Sequence, residues 1–176
     1  HSQVTISGLT LKVGNYPKPS IGPFLDDKDF TAIKIENSQN CNISGNKIVN
    51  SGTAIWLYSS TNNTVESNLL QNNYYSVDIT WHSSNNIIRQ NDISSNRIGI
   101  RFYDKSAKNT IVCANNITSN DLGLFFYWAG SNYVVGNYIS KNTNAFDFVF
   151  CSRNVFHHNN FVGNWTSFSG DPFPRY

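Results

Sequence analysis

Residues 85–106, NNIIRQNDISSNRIGIRFYDKS, contain one complete copy of a motif that recurs along most of the chain. In this copy Asn91 begins an N-x-I step, a polar corner precedes Gly99, and the alternating apolar pair Ile100 and Phe102 follows. Self-similarity at a fixed spacing of 20 to 50 residues is the signature of a repeat architecture. The spacing therefore predicts a repeat protein.

Seven positions of the motif can be aligned between copies. The N-x-[apolar] asparagine recurs at steps of 22, 23, 24, 22 and 22 residues, at Asn46, Asn68, Asn91, Asn115, Asn137 and Asn159. Apolar residues repeat with it at Ile43, Val65, Ile88, Val112, Val134 and Phe156, at Ile48, Leu70, Ile93, Ile117, Ile139 and Phe161, and in the pairs Ile33/Ile35, Ile55/Leu57, Val77/Ile79, Ile100/Phe102, Leu124/Phe126 and Phe146/Phe148. Two further asparagine columns are Asn40, Asn63, Asn86, Asn109, Asn132, Asn154 and Asn50, Asn72, Asn96, Asn120, Asn142, Asn164.

This pattern predicts an all-β fold, a single-stranded right-handed parallel β-helix (a solenoid) of about seven coils with 22–24 residues per coil. Period-2 alternation places one apolar face inward. Asn and Gly tolerate the left-handed backbone angles that corners need. Each column asparagine is expected to hydrogen-bond its counterpart one rung away, at about 4.8 Å.

The chain of 176 residues is predicted to form a single domain. Residues 1–13 fit a degenerate first coil, residues 14–30 a proline-rich inserted loop, residues 31–169 the regular coils, and residues 170–176 an irregular tail. A net charge of +2 with 14% charged residues gives no reason to expect nucleic-acid binding. The longest apolar run is too short to span a membrane. The chain begins at His1 and contains no Met, which favours a processed or excised segment.

Neither terminus shows the amphipathic helix that commonly caps a β-helix. An uncapped coil exposes unpaired strand edges, which invite pairing with another chain. Three explanations stand: caps removed from this segment, the loop and tail acting as caps, or end-to-end self-association into a filament.

Several polar residues are candidate ligands or modification sites. Asp26, Asp27 and Asp29 form a calcium candidate, with a solvated acidic turn as the alternative. The odd number of cysteines (Cys41, Cys113 and Cys151) excludes complete internal pairing, so we expect buried free thiols. His157 and His158 are expected to form a surface corner, and no cofactor is predicted. N-glycosylation sequons occur at Asn42, Asn62, Asn116 and Asn164, and alternation points Asn116 outward.

The outward side of the strand that follows Gly99 carries an unusual set of aromatic and charged residues. Packing against a subunit or loop, or contact with a polysaccharide, would both explain outward aromatics. The candidate contact residues are Trp56, Tyr58, Asp78, Trp81, Arg101, Tyr103, Phe125 and Tyr127.

Catalysis on this face receives little support from the sequence. Asp78 and Asp147 belong to one column but lie three rungs apart, about 14 Å, whereas glycosidase carboxylates lie about 5–9.5 Å apart. A surface ion pair is the simplest interpretation of Asp78 and Arg101. No catalytic residue is assigned, and an enzyme on this scaffold would be a polysaccharide lyase, epimerase or hydrolase.

The coils NKIVNSGTAIWLYSS and NDISSNRIGIRFYDKS, and the repeat over roughly residues 31–165, resemble NosD-like parallel β-helix proteins. That group overlaps the domain class found in carbohydrate-binding proteins and sugar hydrolases. It includes periplasmic copper-maturation factors, archaeal surface-layer proteins, polysaccharide lyases and C5-epimerases. The resemblance implies an extracellular, cell-surface or periplasmic location and frequent contact with glycans. We therefore predict a glycosylated structural protein that stacks into filaments or, alternatively, a polysaccharide-binding or polysaccharide-processing module.

Overall fold

The computed structural model describes residues 4–13 and 30–166, together with the backbone of residues 169–170. The predicted loop, apart from Phe30, and the tail after Gly170 lie outside these residues, as do the calcium candidates Asp26, Asp27 and Asp29. Within them the chain forms three parallel sheets of seven strands each and no α-helix, which confirms the all-β solenoid of about seven coils. The right-handed sense of the coil stays a prediction.

Each coil contributes one strand to each sheet. Sheet A contains β1 (Thr5–Ser7), β4 (Asn42–Ser44), β7 (Thr64–Glu66), β10 (Ile87–Arg89), β13 (Ile111–Cys113), β16 (Tyr133–Val135) and β19 (Val155–His157). Sheet B contains β2 (Thr10–Lys12), β5 (Lys47–Val49), β8 (Leu69–Gln71), β11 (Asp92–Ser94), β14 (Asn116–Thr118), β17 (Tyr138–Ser140) and β20 (Asn160–Val162). Sheet C contains β3 (Thr31–Glu36), β6 (Thr53–Tyr58), β9 (Tyr75–Thr80), β12 (Ile98–Tyr103), β15 (Leu122–Tyr127), β18 (Asn144–Val149) and β21 (Ser169–Gly170).

The predicted apolar columns fill the interior of the coil, except that Phe161 on the last complete coil is exposed. Ile88 pairs with Val65 and Val112 on the neighbouring rungs of sheet A, and all three are fully buried. The same holds along sheet B, where Ile93 lies between Leu70 and Ile117. Removing such apolar surface from water is the main term that favours folding.

Buried asparagine side chains connect the coils at three corners. The Asn91 side chain donates to Asn115 Oδ1 at 2.9 Å and to the Val65 carbonyl at 3.0 Å. Its own Oδ1 accepts from the backbone N–H and the side-chain amide of Asn68, both at 3.0 Å. These amides are fully paired although water is excluded, which confirms the expected bond between counterpart asparagines.

The predicted asparagine columns need a correction of one residue at four places. Asn40, Asn50, Asn72 and Asn109 do not belong to the buried ladders, because their backbones form the preceding corners with φ between 54° and 58°. The corresponding ladder positions are Cys41, Ser51, Asn73 and Thr110. Adjacent asparagines at a corner thus have different roles, one in the left-handed backbone and the other in the ladder.

Gly99 is required by a close approach between rungs rather than by its backbone angles. A Cβ atom at Gly99 would lie 2.4 Å from the carbonyl oxygen of Gly123, and one at Gly123 would lie 2.5 Å from that of Ala145. Ala54 and Ala145 line the interior at equivalent positions. The second residue of each of these strands is therefore small and inward, and the third residue also points inward, which interrupts the predicted alternation.

Thr110 interrupts one asparagine ladder, and its buried Oγ1 has no hydrogen-bond partner among the described residues. We expect Thr110→Asn to raise the free energy of unfolding by about 1 kcal/mol, because the new Oδ1 would accept from Asn86 one rung away. The thermal midpoint should rise by about 3 °C. Thr118→Asn, on sheet B outside the ladders, is the matched control and should change neither quantity. An unchanged or lower midpoint for Thr110→Asn would contradict the proposed role of the ladder.

Candidate functional site: the outer face and rim of sheet C

The outer face of sheet C carries a second apolar cluster that is separate from the interior. Tyr74, Tyr75, Ile98 and Phe125 are buried within it. Tyr75 and Ile98 point outward because the small inward residue follows them directly in the strand. Neither Tyr75 nor Ile98 was among the predicted contact residues. The small residues that recur at one position of successive coils, such as Gly99 and Gly123, were the signal that could have identified them.

Asp78 and Arg101 form an ion pair across neighbouring strands of this face. Arg101 Nε donates to Asp78 Oδ1 at 2.7 Å, and Nη2 donates to Oδ2 at 2.6 Å. The guanidinium carbon lies 3.9 Å from the ring centre of Tyr75 and 5.1 Å from that of Tyr103. The predicted ion pair is therefore confirmed, but its predicted position on the surface is wrong, because the two side chains are only 6% and 3% exposed.

Burial also changes the roles of the other predicted contact residues. Trp56 is 4% exposed, and its Nε1 donates to Thr80 Oγ1 at 2.8 Å. Lys34 Nζ lies 4.8 Å from the centre of the Trp56 ring. Burial raises the pKa of the neighbouring Tyr75 hydroxyl far above its usual value, although Arg101 opposes the shift. Of the eight predicted contact residues, Trp56, Asp78, Arg101 and Phe125 are buried, Tyr58, Tyr103 and Tyr127 are half-buried, and Trp81 is exposed.

The corner immediately after sheet C, which we name the sheet C rim, presents exposed aromatic side chains. The rim consists of the residue that follows each of the first six strands: Asn37, Ser59, Trp81, Asp104, Trp128 and Phe150. Trp81, Trp128 and Phe150 are 55%, 39% and 56% exposed. Of these, the sequence analysis named Trp81 as a candidate and did not include Trp128 or Phe150.

The three exposed rim aromatics have left-handed backbones, with φ of 47°, 59° and 56°. Such angles are rare for bulky residues and cost on the order of 1–3 kcal/mol each. Asn37, at the first rim position, has the same type of backbone conformation with φ of 49°, but it is less strained because asparagine tolerates left-handed angles. Strained backbones with exposed apolar side chains are features that cluster at ligand-binding sites.

Half-buried tyrosines of the outer face contact the rim aromatics. Tyr103 and Tyr127 stack with their ring centres 4.9 Å apart and 11° between their planes. Tyr127 meets Trp128 edge-on at 6.3 Å, and the rings of Trp128 and Phe150 lie 5.0 Å apart. Aromatic surface thus extends from the outer face onto the rim across three successive coils.

The four sequons occupy different environments. Asn62 and Asn116 are exposed, the former at a left-handed corner and the latter on strand β14. Asn42 is half-buried and donates to Glu66. Asn164 donates to the Ile139 carbonyl at 2.9 Å as part of a ladder. Glycosylation at each sequon stays a prediction, and Asn62 and Asn116 are the accessible acceptors.

A family model described as periplasmic copper-binding protein (NosD) matches residues 27–167. The chain belongs to the NosD family. Among solved structures, the NosD-family chain is similar to DFA-IIIase from Arthrobacter chlorophenolicus A6 without its lid, with 11% identity and a TM-score of 0.63 over 97% of this chain and 42% of that one. The same enzyme in complex with DFA-III aligns with 10% identity and a TM-score of 0.53 over 96% and 47%.

These two likenesses establish the β-helix fold alone, since identity is low and this chain spans less than half of either structure. No curated protein matches this chain. The periplasmic description belongs to the family as a whole. Among the described residues, no helix has the length and apolar character needed to cross a bilayer.

The described residues do not fit a copper site of the kind that the family name implies. They contain no group of three or more His, Cys, Asp or Glu side chains placed to hold a metal ion. His157 and His158 have their Nδ1 atoms 2.8 Å apart, but they form only a pair. Cys41, Cys113 and Cys151 are free, as predicted, but only Cys41 is buried, whereas Cys113 and Cys151 are half-buried. Burial raises the pKa of the Cys113 and Cys151 thiols, which disfavours the thiolate that binds metals.

The Asp78–Arg101 pair is expected to hold the outer face together. Arg101→Met and Asp78→Leu should each lower the free energy of unfolding by about 3–5 kcal/mol, because each leaves an unpaired buried charge. The double variant should lose less than the sum of the single losses. Urea unfolding followed by near-ultraviolet circular dichroism measures these differences.

Arg89→Met provides the matched control. Arg89 also pairs with a carboxylate one coil away, Glu66, but the two side chains are 47% and 20% exposed. Loss of the Arg89–Glu66 ion pair should lower the free energy of unfolding by about 1 kcal/mol or less. A loss at Arg101 no larger than the loss at Arg89 would contradict the structural role assigned to the buried pair.

Proposed function

We propose that this NosD-family chain acts outside the cytoplasm as a β-helix that binds polysaccharide along the sheet C rim. The observation that carries this proposal is the strained, exposed aromatic set of Trp81, Trp128 and Phe150. A solvated corner gains nothing from these residues, whereas the flat apolar face of a sugar ring stacks on an aromatic ring. A binding role therefore accounts for both the strain and the exposure.

The repeat geometry suits a ligand that is itself repetitive. Trp128 and Phe150 lie on neighbouring coils with ring centres 5.0 Å apart. A polysaccharide chain lying along the solenoid axis would meet equivalent positions once per rung, so several weak contacts would add along its length. The periplasmic description of the family supports a location where polysaccharides occur. One of the similar β-helix structures is a complex with DFA-III.

Binding is favoured over catalysis because Asp78 is already occupied. Both of its carboxylate oxygens accept from Arg101. A general acid or base must instead reach a substrate proton. The lyase, epimerase or hydrolase alternative remains open for other residues and is not part of the proposal.

Replacing both Trp128 and Phe150 by Ala tests the binding role. We expect the affinity for polysaccharide, measured by retardation in affinity gels, to fall at least tenfold. The loss of two stacking rings should remove about 1.4 kcal/mol or more of binding free energy. Tyr133→Ala with Tyr138→Ala is the control, because these aromatics are 46% and 42% exposed on sheets A and B, away from the rim. The proposal fails if the unaltered protein is retarded by no polysaccharide in the panel.

End-to-end self-association is a second candidate, favoured by the last complete coil. Strands β19 and β20 have no neighbour beyond them in the described part of the chain. Phe161, Val162 and Trp165 on this coil are 37%, 43% and 86% exposed, and Phe161 was predicted to lie inside. Open strand edges beside apolar side chains favour pairing with another chain. Such a head-to-tail contact propagates into a filament.

Sedimentation velocity over a concentration series tests the assembly role. The unaltered protein should form species that grow with concentration, and Trp165→Asp should shift them towards monomer. The rim variant, Trp128→Ala with Phe150→Ala, should assemble normally. A monodisperse monomer at every concentration would remove this candidate.

A further inference from the structure

A groove on the sheet C rim combines an aromatic wall with three cationic side chains. It lies beside Trp128 and Phe150 and has a volume of about 300 Å³. Lys105, Lys108 and Arg153 also line it, and all three are exposed. The side chains come from three successive coils, because parallel stacking places the corner loops of neighbouring coils side by side.

Within residues 4–13 and 30–166, the three cations in this groove lack acidic partners. In the described part of the chain, Lys105, Lys108 and Arg153 form no ion pair. The nearby Asp104 accepts bonds from the Trp81 backbone N–H and from the Ser106 N–H and hydroxyl, so its carboxylate is engaged elsewhere. Like charges converging on one groove repel one another, and an anion placed among them relieves that repulsion.

The aromatic wall and the cations are also connected to each other. Lys105 Nζ lies 4.6 Å from the ring centre of Trp128, within the range of a cation–π contact. Gly130 also lines the groove, and it permits the close approach of two coils there, because a Cβ atom would lie 2.5 Å from the Ser152 carbonyl oxygen. A ligand in this groove would therefore meet a flat apolar ring and a positive charge together.

The cationic character is confined to one end of this corner. The corner loops of the first coils, residues 37–40 and 59–62, contain no charged residue. A larger hollow of about 520 Å³ at that end has a neutral lining that includes Asn37, Gln39 and Thr61. Net charge spread over the surface does not explain this difference between two ends of one repeated corner.

We propose that the groove formed by Lys105, Lys108, Arg153, Trp128 and Phe150 binds an anionic saccharide, a sugar that carries carboxylate or sulfate groups. This inference rests on the proposed function and names the class of polysaccharide that the rim recognises. The rings stack on the sugar face, and the two lysines and the arginine bind its acidic groups. Arginine and lysine are suited to these groups because they donate charge-assisted hydrogen bonds to oxyanions.

Three polymers with one backbone test the charge requirement: dextran, carboxymethyl-dextran and dextran sulfate. In affinity gels at low salt, the unaltered protein should bind at least one anionic polymer at least tenfold more tightly than dextran. That preference should weaken as salt is raised from about 50 to 300 mM, because exposed charges are screened over about 10 Å at 0.1 M. Comparison of the two anionic polymers distinguishes carboxylate from sulfate recognition.

A charge-removal variant locates the effect. Lys105→Gln, Lys108→Gln and Arg153→Gln together should weaken binding of the preferred anionic polymer at least tenfold and leave binding of dextran unchanged. The matched control removes three charges elsewhere, through Lys12→Gln, Lys47→Gln and Lys141→Gln, and should retain the preference. Thermal unfolding of both triple variants confirms that each is folded before binding is compared.

The outcomes separate this inference from the proposed function. Equal binding of dextran and the anionic polymers, or equal effects of the two triple variants, would overturn the anionic groove and leave polysaccharide binding standing. If the protein binds none of the three polymers and no polysaccharide of the wider panel, both the anionic groove and the proposed function are overturned. Tighter binding of a single-stranded oligothymidylate than of either anionic dextran would also overturn the inference, because cations beside aromatic rings suit nucleic acids as well.

Discussion

The hydrogen bond between the side chains of stacked asparagines sets the register of the whole molecule. Asn91 illustrates it, with its amide bonded to Asn115 on one side and to Asn68 on the other. An amide buried without partners would destabilise the fold, and a slip of one residue would break every bond of a ladder. The ladders therefore keep each coil aligned with its neighbours. All three sheets consequently pair in register along the described coils.

Alignment of the coils places each side chain beside its counterparts one rung away. Phe102 and Phe126 stack inside the coil with ring centres 4.5 Å apart and 5° between their planes. Outside, the same alignment brings Arg101 onto Asp78 and Tyr103 onto Tyr127. Different residues occupy the same outward position on successive coils, as Asp78 and Arg101 do, so this alignment can bring unlike side chains together. The repeat thus acts as a scaffold on which single substitutions create local sites.

Bulky aromatic residues occupy left-handed backbone positions at the sheet C rim. Most left-handed corners are occupied by Asn, Ser or Gly, which tolerate those angles, whereas the rim has Trp81, Trp128 and Phe150. Residues that oppose local backbone preference without improving packing are expected at functional sites. Near Trp128 this corner carries cations that form no ion pair with any described residue, whereas its loops at residues 37–40 and 59–62 contain no charged residue. Strain, exposure and charge therefore point to one end of one corner.

The sequence by itself determined the architecture, because a 22–24-residue spacing of Asn and alternating apolar residues fits a stack of coils and little else. It did not determine which of two adjacent asparagines, such as Asn72 and Asn73, enters the ladder, since both suit a corner. Only the tertiary structure decided that Trp56 is buried and Trp128 exposed, because the contacts that Trp56 makes with Lys34 and Thr80 come from the coils on either side of it. The cationic groove has the same origin, since Lys105 and Arg153 are brought together only by stacking.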